Sequence, residues 1–382
     1  MSDVAELSEL ALLPPFEHHG GLLWRADLPP GFAGPGDSSG APAASRLRLF
    51  EDGILLGPAH SGHADIARAG RGRYSHWHGT LWFSTRDGSD PNANGRRYAA
   101  SIGAPTLKLL GFGTCHLGAA LVDLHERGAA YNLWNDPEPT ASPRETLQLV
   151  ELQLGRLEAP RALQALALSN GRANSLAGVL RDADVAFLEF GTLIDIAYGP
   201  YWIPRAKLST DLLDRFSALG RAEGRIAKRW YHLGLVRQNE AARRELSGQM
   251  LELLPRTGLD PILARDVIER ARGDLQEPDE AADTVARIRD GLGTRAVCVL
   301  SANNAFMPDG RPVSWPRNFA KDLEPICRRL GLPLLHPHRL VAEHGVAFAL
   351  MPEKSLHHFT PQFLSRLGDE MLAMARGALG GR

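Results

Sequence analysis

The chain has 382 residues, of which 44% are apolar and 23% are charged, and its formal net charge at pH 7 is −1. These values are ordinary for a globular protein of about two to three domains, and the balanced charge argues against a general nucleic-acid binder. No apolar stretch reaches the roughly 18 residues of a membrane-spanning helix, and the acidic start MSDVAELSEL does not resemble a secretory signal. We therefore expect a cytoplasmic protein with no nucleic-acid partner and no membrane span; the oligomeric state is left open.

The first hundred residues predict an N-terminal segment followed by a small β-module. Residues 29–45 are rich in Pro, Gly and Ser, so residues 1–45 are predicted to end in a linker or mobile loop. In the module, residues 46–100, the strings LRLFEDGILL and TLWFST predict strands, with Asp52-Gly53 as a hairpin turn. Its loops are dense in aromatic, amide, carboxylate and guanidinium groups, which bind sugars. Trp77 and Arg96 are predicted to contact a glycan, the alternative being that these loops are merely solvated.

From residue 101 to the C-terminus, predicted strands and helices alternate. The apolar runs LKLLGFG, VAFLEF, AVCVLSA, PLLH and VAFALMP predict buried strands. Ser142 and Thr360 are predicted N-caps, each followed by a proline at the first helical position. This alternation is typical of an α/β domain with a parallel sheet covered by helices.

Residues 204–293, approximately, show no strand pattern and predict a helical insertion in this domain. Asp260 and Pro261 are expected to start one of its helices, and Gly273 to end it. The insertion is either a packed helical extension, or a cap over an active site or a dimer contact.

The string LLGFGTCHLGAAL, from Leu109 to Leu121, leads a buried strand directly into a helix. Ligands of open parallel sheets bind at the carboxyl ends of the strands, which is where Cys115 is predicted to lie. A helix N-terminus favours a thiolate, so Cys115 is a candidate nucleophile. The alternative is that Cys115 is a small buried residue, as cysteines often are.

Other predicted strands end in groups that suit the same crevice. Gly191 offers a backbone N–H, and Asn303 or Asn304 offers a side-chain amide, as donors to an oxyanion. His357 and His358 stand just before the last helix, in a loop from which an imidazole would reach the thiol.

In the order and placement of these four blocks, the sequence resembles the SGNH/GDSL hydrolase superfamily. The resemblance implies a flavodoxin-like, doubly wound parallel sheet. It puts Cys115 at the nucleophile position, Gly191 in the second block, Asn303 or Asn304 in the third, and His358 at the catalytic histidine. Gly113-Thr114-Cys115 is similar to the first block of the subgroup that reads Gly-Ser-Cys-Phe-Ala, and to capsule-polysaccharide acetyltransferases that read Gly-Asn-Cys. The neighbouring His116 and His357 are expected to contact the substrate.

The pattern departs from the superfamily at the residue that orients the histidine. Ser355 stands where an Asp is usual, and Glu353 is the nearest acid. Glu189 and Asp195 flank Gly191 and are expected to be helix-cap or surface groups, although either could orient His358. Five histidines lie close together near the C-terminus and match no zinc-site spacing: His336, His338, His344, His357 and His358. We therefore expect neither a metal nor a cofactor.

The resemblance implies an acyl-ester hydrolase or an O-acyltransferase for an acetyl-type group, acting on a carbohydrate or glycan-linked substrate through a Cys–His pair. A transferase would need an acyl donor such as acetyl-CoA. The alternative from another functional class is a non-catalytic glycan-binding protein on a degenerate SGNH fold, and the missing Asp favours this reading.

Overall fold

A computed structural model describes residues 10–30, 32, 34–103, 106–133, 139–159, 180, 182–302, 306, 319–351 and 355–380. The chain divides into two compact units. Unit 1 is Met1–Leu109 with Leu121–Leu133, and unit 2 is Leu110–Ala120 with Trp134–Arg382. Within the described ranges, no helix is both long and apolar enough to cross a bilayer.

Unit 1 contains two antiparallel four-stranded sheets, with the strand orders β1-β8-β4-β5 and β2-β3-β7-β6. The elements are β1 (Leu10–Leu12), β2 (Glu17–His18), β3 (Trp24–Asp27), β4 (Leu47–Glu51), β5 (Ile54–Leu55), α1 (His63–Ala69), β6 (Tyr74–Trp77), β7 (Thr80–Phe83) and β8 (Tyr98–Ile102). Side chains from both sheets, such as Leu49 and Phe83, share one buried core. The predicted hairpin at Asp52-Gly53 is confirmed, and both residues have the positive φ that such a turn requires.

The residues before the predicted linker, which the sequence did not place, supply three strands to these sheets. Strand β1 pairs with β8, and β3 pairs with β7. The Pro- and Gly-rich stretch is anchored by Asp37, whose buried carboxylate accepts hydrogen bonds from the Ser45 N–H and from His60. Gly36 passes so close to the backbone of His78 that a Cβ atom would lie 2.4 Å from its nitrogen. The composition of this stretch therefore reflects close backbone packing.

A five-stranded sheet follows along the chain, with the order β10-β9-β11-β15-β16. Strand pairs β10–β9, β11–β15 and β15–β16 are parallel. The remaining strands form a three-stranded and a two-stranded antiparallel sheet, β13-β12-β14 and β17-β18. Their bounds are β9 (Lys108–Phe112), β10 (Tyr131–Asn132), β11 (Val185–Phe190), β12 (Ile194–Tyr198), β13 (Tyr201–Trp202), β14 (Arg272–Leu275), β15 (Ala296–Ser301), β16 (Leu334–Leu335), β17 (Leu350–Met351) and β18 (Ser355–Phe359). The protein is thus a mixed α/β molecule with several sheets, one of them parallel.

The helices after α1 include both predicted capped helices. Their bounds are α2 (Cys115–Glu126), α3 (Pro143–Gln153), α4 (Arg205–Lys207), α5 (Asp214–Leu219), α6 (Arg221–Arg229), α7 (Glu240–Leu253), α8 (Pro261–Arg270), α9 (Pro278–Leu292), α10 (Phe319–Leu330), α11 (Pro337–His344), α12 (Val346–Ala349) and α13 (Pro361–Gly380), with π-helical segments at Leu208–Leu213 and Trp230–Val236 and a 3₁₀ turn at Leu254–Arg256. The Ser142 hydroxyl accepts the Glu145 N–H, and the Thr360 hydroxyl accepts the Phe363 N–H, each at 3.1 Å.

The predicted insertion is mostly helical, but it also contains β14, which pairs with β12. Gly273 is therefore a strand residue and does not end a helix; a Cβ there would lie 1.8 Å from the Leu235 carbonyl oxygen. The helices of the insertion bury a core around Trp230 that also includes Leu152 of α3 and Ile196 of β12. The insertion is consequently packed into unit 2 and is not a detached arm.

Two predictions near the C-terminus also change. The run VAFALMP was expected to be a strand, but Val346–Ala349 is helical and only Leu350–Met351 is extended. The segment SLHHF was expected to be a loop, but it forms β18, which pairs with β17. A short apolar run does not distinguish strand from helix by its pattern alone.

Candidate functional site

Cys115 is the first residue of α2, and only Gly113 and Thr114 separate it from Phe112, the last residue of β9. It is exposed, whereas Cys298 and Cys327 are buried, and burial raises the pKa of each of these two thiols to about 12. Within the described structure, Cys115 is thus the one thiol that a substrate can reach without unfolding.

Glu189, near the end of β11, stabilises the turn that carries Cys115 through hydrogen bonds to Thr114. One oxygen of its carboxylate accepts hydrogen bonds from the Thr114 N–H at 2.6 Å and the Thr114 hydroxyl at 2.7 Å. Gly113 makes this approach possible, because a Cβ there would lie 2.5 Å from the Glu189 Cβ. Glu189 is only 2% exposed, so the expectation of a surface or helix-cap group was wrong: its charge is buried under the candidate nucleophile.

The electrostatics at Cys115 differ from those expected at a helix N-terminus. Partial burial of the sulfur, followed by the negative charge of Glu189, raises the pKa of the Cys115 thiol. The N–H groups of Cys115 and His116 donate to the sulfur and act in the opposite direction, but they do not outweigh the other two effects. The thiol is therefore protonated at neutral pH and needs a base to become a nucleophile.

Backbone hydrogen bonds join the neighbouring loops at this end of the sheet. The Thr140 N–H donates to the Gly113 carbonyl at 3.0 Å, and the Ala302 N–H donates to the Phe190 carbonyl at 2.7 Å. The Gly191 N–H donates to the Ala141 carbonyl at 2.8 Å. Because this N–H already has an acceptor, Gly191 does not offer the free donor that the sequence predicted for an oxyanion.

His116 and Phe359 bring the last strand next to the candidate nucleophile. Their ring centroids lie 4.4 Å apart, so His358 of β18 directly precedes a residue that contacts the neighbour of Cys115. His358 is exposed. His116 is 7% exposed, and its Nε2 is buried with no hydrogen-bond partner in the described structure. A buried polar atom without a partner is costly, which fits the expectation that His116 meets a substrate.

Several predicted site residues lie outside the described part of the chain. These are Asn303, Asn304, Glu353 and the side chains of His357 and Ser355. Their roles remain sequence-based predictions.

The sequence did not reveal a buried ionic cluster at the start of α3. Asp195 is fully buried and accepts a hydrogen bond from the Ser142 hydroxyl, with a guanidinium nitrogen of Arg144 at 3.5 Å from its other oxygen. Burial, together with the nearby Glu145, raises the pKa of Asp195 to about 7. Asp195 therefore supports the cap of α3, as the helix-cap expectation stated, and it is not a surface group. Its acidic character gave no sign of this burial.

His336, which follows β16, has specific partners in the structure. Its Nδ1 lies 2.8 Å from the Ser301 hydroxyl, and its Nε2 lies 3.3 Å from Glu324. The ring centroids of His336 and His338 lie 5.2 Å apart with the planes tilted by 56°, and burial lowers the pKa of His338 to about 4. The contact between His336 and Ser301 links the end of β16 to the end of β15.

The two residues predicted to contact a glycan have different surroundings within unit 1. Arg96 donates to both carboxylate oxygens of Asp87, at 3.0 and 2.5 Å, and to Glu51 at 3.2 Å. With its guanidinium engaged in these ion pairs, Arg96 is a structural residue, and the prediction that it binds substrate is not supported. Trp77 lines a cavity in unit 1 together with His63.

Comparison with known proteins adds a family. A search of curated proteins finds no match. Among solved structures, protein YxiM of Bacillus subtilis is 9% identical at a TM-score of 0.31, covering 98% of this chain and 89% of its own. The salicylyl-acyltransferase SsfX3 from a tetracycline biosynthetic pathway is 12% identical at a TM-score of 0.32, and the match covers 88% of this chain and 75% of SsfX3. Neither likeness is close enough to define the fold. The sequence profile of the TviD N-terminal domain matches residues 107–374, the larger part of the chain, and the chain therefore belongs to the TviD N-terminal domain family.

Proposed function

We propose that this protein transfers an acetyl-type acyl group from an ester or thioester, either to water or to a carbohydrate hydroxyl, with Cys115 as the nucleophile. The observation that carries the proposal is the position of Cys115, an exposed thiol on the turn between a strand of the parallel sheet and the N-terminus of the following helix. Numbered along the chain, the five strands have the order 2-1-3-4-5, which is that of flavodoxin-like doubly wound sheets, and these bind ligands at the carboxyl ends of their strands. The family match covers this whole region.

The raised pKa of the Cys115 thiol makes a general base part of the proposal. His358 is our choice, because the resemblance puts it at the catalytic histidine and because its strand, β18, passes next to His116 through Phe359. The imidazole takes the thiol proton as sulfur attacks the acyl carbonyl. The tetrahedral intermediate then expels the leaving alcohol or thiol, which receives that proton, and a thioester remains on Cys115.

The second half of the reaction returns the enzyme to its starting state. His358 takes a proton from water or from a sugar hydroxyl, whose oxygen attacks the thioester carbonyl. The carbon–sulfur bond breaks, and the proton returns to the Cys115 sulfur. In both halves, we propose that the N–H groups of Cys115 and His116, which face the sulfur at the first turn of α2, turn to the developing oxyanion as donors. Asn303 or Asn304 is proposed as the side-chain donor, and Gly191 is not included.

Intact mass spectrometry after incubation with p-nitrophenyl acetate tests the proposal. The wild type should gain one acetyl group, and the Cys115→Ala variant should gain none. Cys327→Ala is the matched control, because Cys327 is buried and its loss should leave the adduct unchanged. Cys115→Ser should lose activity on the order of a hundredfold or more, because a serine hydroxyl is much harder to deprotonate than a thiol.

Two results would contradict the proposal. The first is an adduct that persists in Cys115→Ala, which would remove the nucleophile. The second is a wild type that forms no adduct and hydrolyses no ester while it still binds glycans. This second result would favour the non-catalytic glycan-binding protein that the missing Asp at position 355 suggests.

A further inference from the structure

Unit 1 contains a cavity of about 440 Å³, within the size range of small-molecule sites. Its lining includes one large aromatic face and several polar groups: Asp37, His60, His63, Ser75, Trp77 and Tyr131. All of these residues belong to unit 1. The cavity therefore lies entirely within unit 1.

Two polar atoms in the lining have no hydrogen-bond partner in the described structure. They are the Ser75 hydroxyl oxygen and the His63 Nε2, and both atoms are buried. Ser75 is 2% exposed and lies two residues before Trp77 on β6, so the two side chains lie on the same face of the strand. Buried polar groups in folded proteins almost always have hydrogen-bond partners. Two such atoms without partners beside a cavity indicate that a bound ligand supplies the missing hydrogen bonds.

The charged groups of the lining are already matched to each other. His60 Nδ1 lies 3.0 Å from both oxygens of Asp37, and its Nε2 lies 3.1 Å from the Thr106 hydroxyl. No lysine or arginine is among the described residues that line the cavity. An anionic ligand such as a phosphate would therefore have no counter-charge there, and a neutral ligand fits better.

We propose that this cavity is a binding site for one neutral sugar unit. A pyranose has an apolar face that suits Trp77, and its hydroxyl groups both donate and accept hydrogen bonds. A hydroxyl therefore satisfies His63 Nε2 in either tautomer and the Ser75 hydroxyl in either direction. Burial lowers the pKa of His63, which favours the neutral ring, and its Nε2 is then either a donor or an acceptor.

Two serines of the lining provide a matched pair for the test. The Ser75 hydroxyl has no partner, whereas the Ser61 hydroxyl donates to the Pro58 carbonyl at 2.9 Å. Removing the Ser75 hydroxyl should leave thermal stability unchanged or slightly higher and should weaken sugar binding. Removing the Ser61 hydroxyl should lower stability, and it should weaken sugar binding less than removing the Ser75 hydroxyl does, because the Ser61 hydroxyl is already bonded to the Pro58 carbonyl.

The experiment measures binding by saturation-transfer NMR in a Cys115→Ala background, so that acyl chemistry does not contribute and the outcome does not depend on the proposed reaction. The probes are methyl α-glucoside, methyl α-galactoside and N-acetylglucosamine, with adenine as a planar probe without hydroxyls. We expect at least one sugar to bind, and Ser75→Ala and Trp77→Ala to weaken it by about tenfold or more. The proposal is overturned if no sugar gives a signal, if adenine binds in preference, or if Ser75→Ala binds as tightly as its parent.

Discussion

One buried carboxylate sets both the shape and the charge of the turn that carries Cys115. Glu189 accepts two hydrogen bonds from Thr114 and fills the space that Gly113 leaves open. Together with partial burial of the sulfur, the larger effect, the same negative charge raises the pKa of the Cys115 thiol. Glu189 thus contributes both to the shape of the turn and to the raised pKa of its thiol.

The Glu189→Gln variant separates these two effects. The amide oxygen of glutamine still accepts from Thr114, so the turn should keep its shape, while the negative charge is removed. Because that charge raises the pKa of the thiol, its loss should lower this pKa and shift the pH profile of iodoacetamide alkylation at Cys115 towards lower pH. The buried Cys298 and Cys327 are internal controls that should not change. An unshifted profile in a folded variant would show that Glu189 acts through geometry alone.

At the scale of elements, the start of α3 depends on a carboxyl group with an unusual pKa. Asp195 accepts from the capping residue Ser142, and its folded-state pKa is about 7. In the unfolded chain, its pKa is that of an ordinary Asp, about 3.9. Between these two values the folded protein holds a proton that the unfolded chain releases, so rising pH favours unfolding through this group.

The Asp195→Asn variant should remove this contribution. We expect the free energy of unfolding of the variant, relative to the wild type, to rise between about pH 4 and pH 7 and then to level off, by about 1 to 4 kcal/mol in total. Urea titrations at several pH values measure this difference directly. Parallel stability curves for the two proteins across that range would contradict the assignment.

The helix caps and the central strands could be predicted from the sequence because their signals are local. Ser142-Pro143 and Thr360-Pro361 carry the start of a helix in consecutive residues, and VAFLEF carries a buried strand in its composition. Strand β14 has the polar sequence RGDL, and only its hydrogen bonds to β12, some eighty residues earlier, make it a strand. Likewise, no local pattern indicates that Glu189 and Asp195 are buried, because their partners come from distant segments. The sequence located Cys115, but not the charge beneath it.

For the molecule as a whole, the helical insertion is part of the same folded body as the elements next to it. Trp230, from the insertion, is fully buried in a core shared with Leu152 and Ile196. A deletion that removes the insertion would therefore expose apolar surface that the rest of unit 2 needs to bury. We expect the insertion and the parallel sheet to unfold together.

Trp230→Ala tests this cooperativity. Truncation of a buried Trp should lower the free energy of unfolding of unit 2 by about 3–5 kcal/mol. Both the labelling of Cys298, which lies in the parallel sheet, and the loss of the helical circular dichroism signal should then occur at lower urea concentration. The two midpoints should shift by the same amount. Ile262→Ala is the matched control, because Ile262 belongs to the insertion but is 82% exposed. If Cys298 stays protected while the helical signal is lost early, the insertion is a separate folding unit.

The protonated state of Cys115 also bears on how the protein survives oxidants. Peroxides attack thiolates far faster than thiols, and exposed thiolates are the cysteines that proceed to sulfenic and then irreversible sulfinic acids. Cys115 is exposed, but its raised pKa keeps the sulfur in the form that peroxides oxidise slowly. Partial burial of the sulfur and the charge of Glu189 therefore protect Cys115 from oxidation by peroxides.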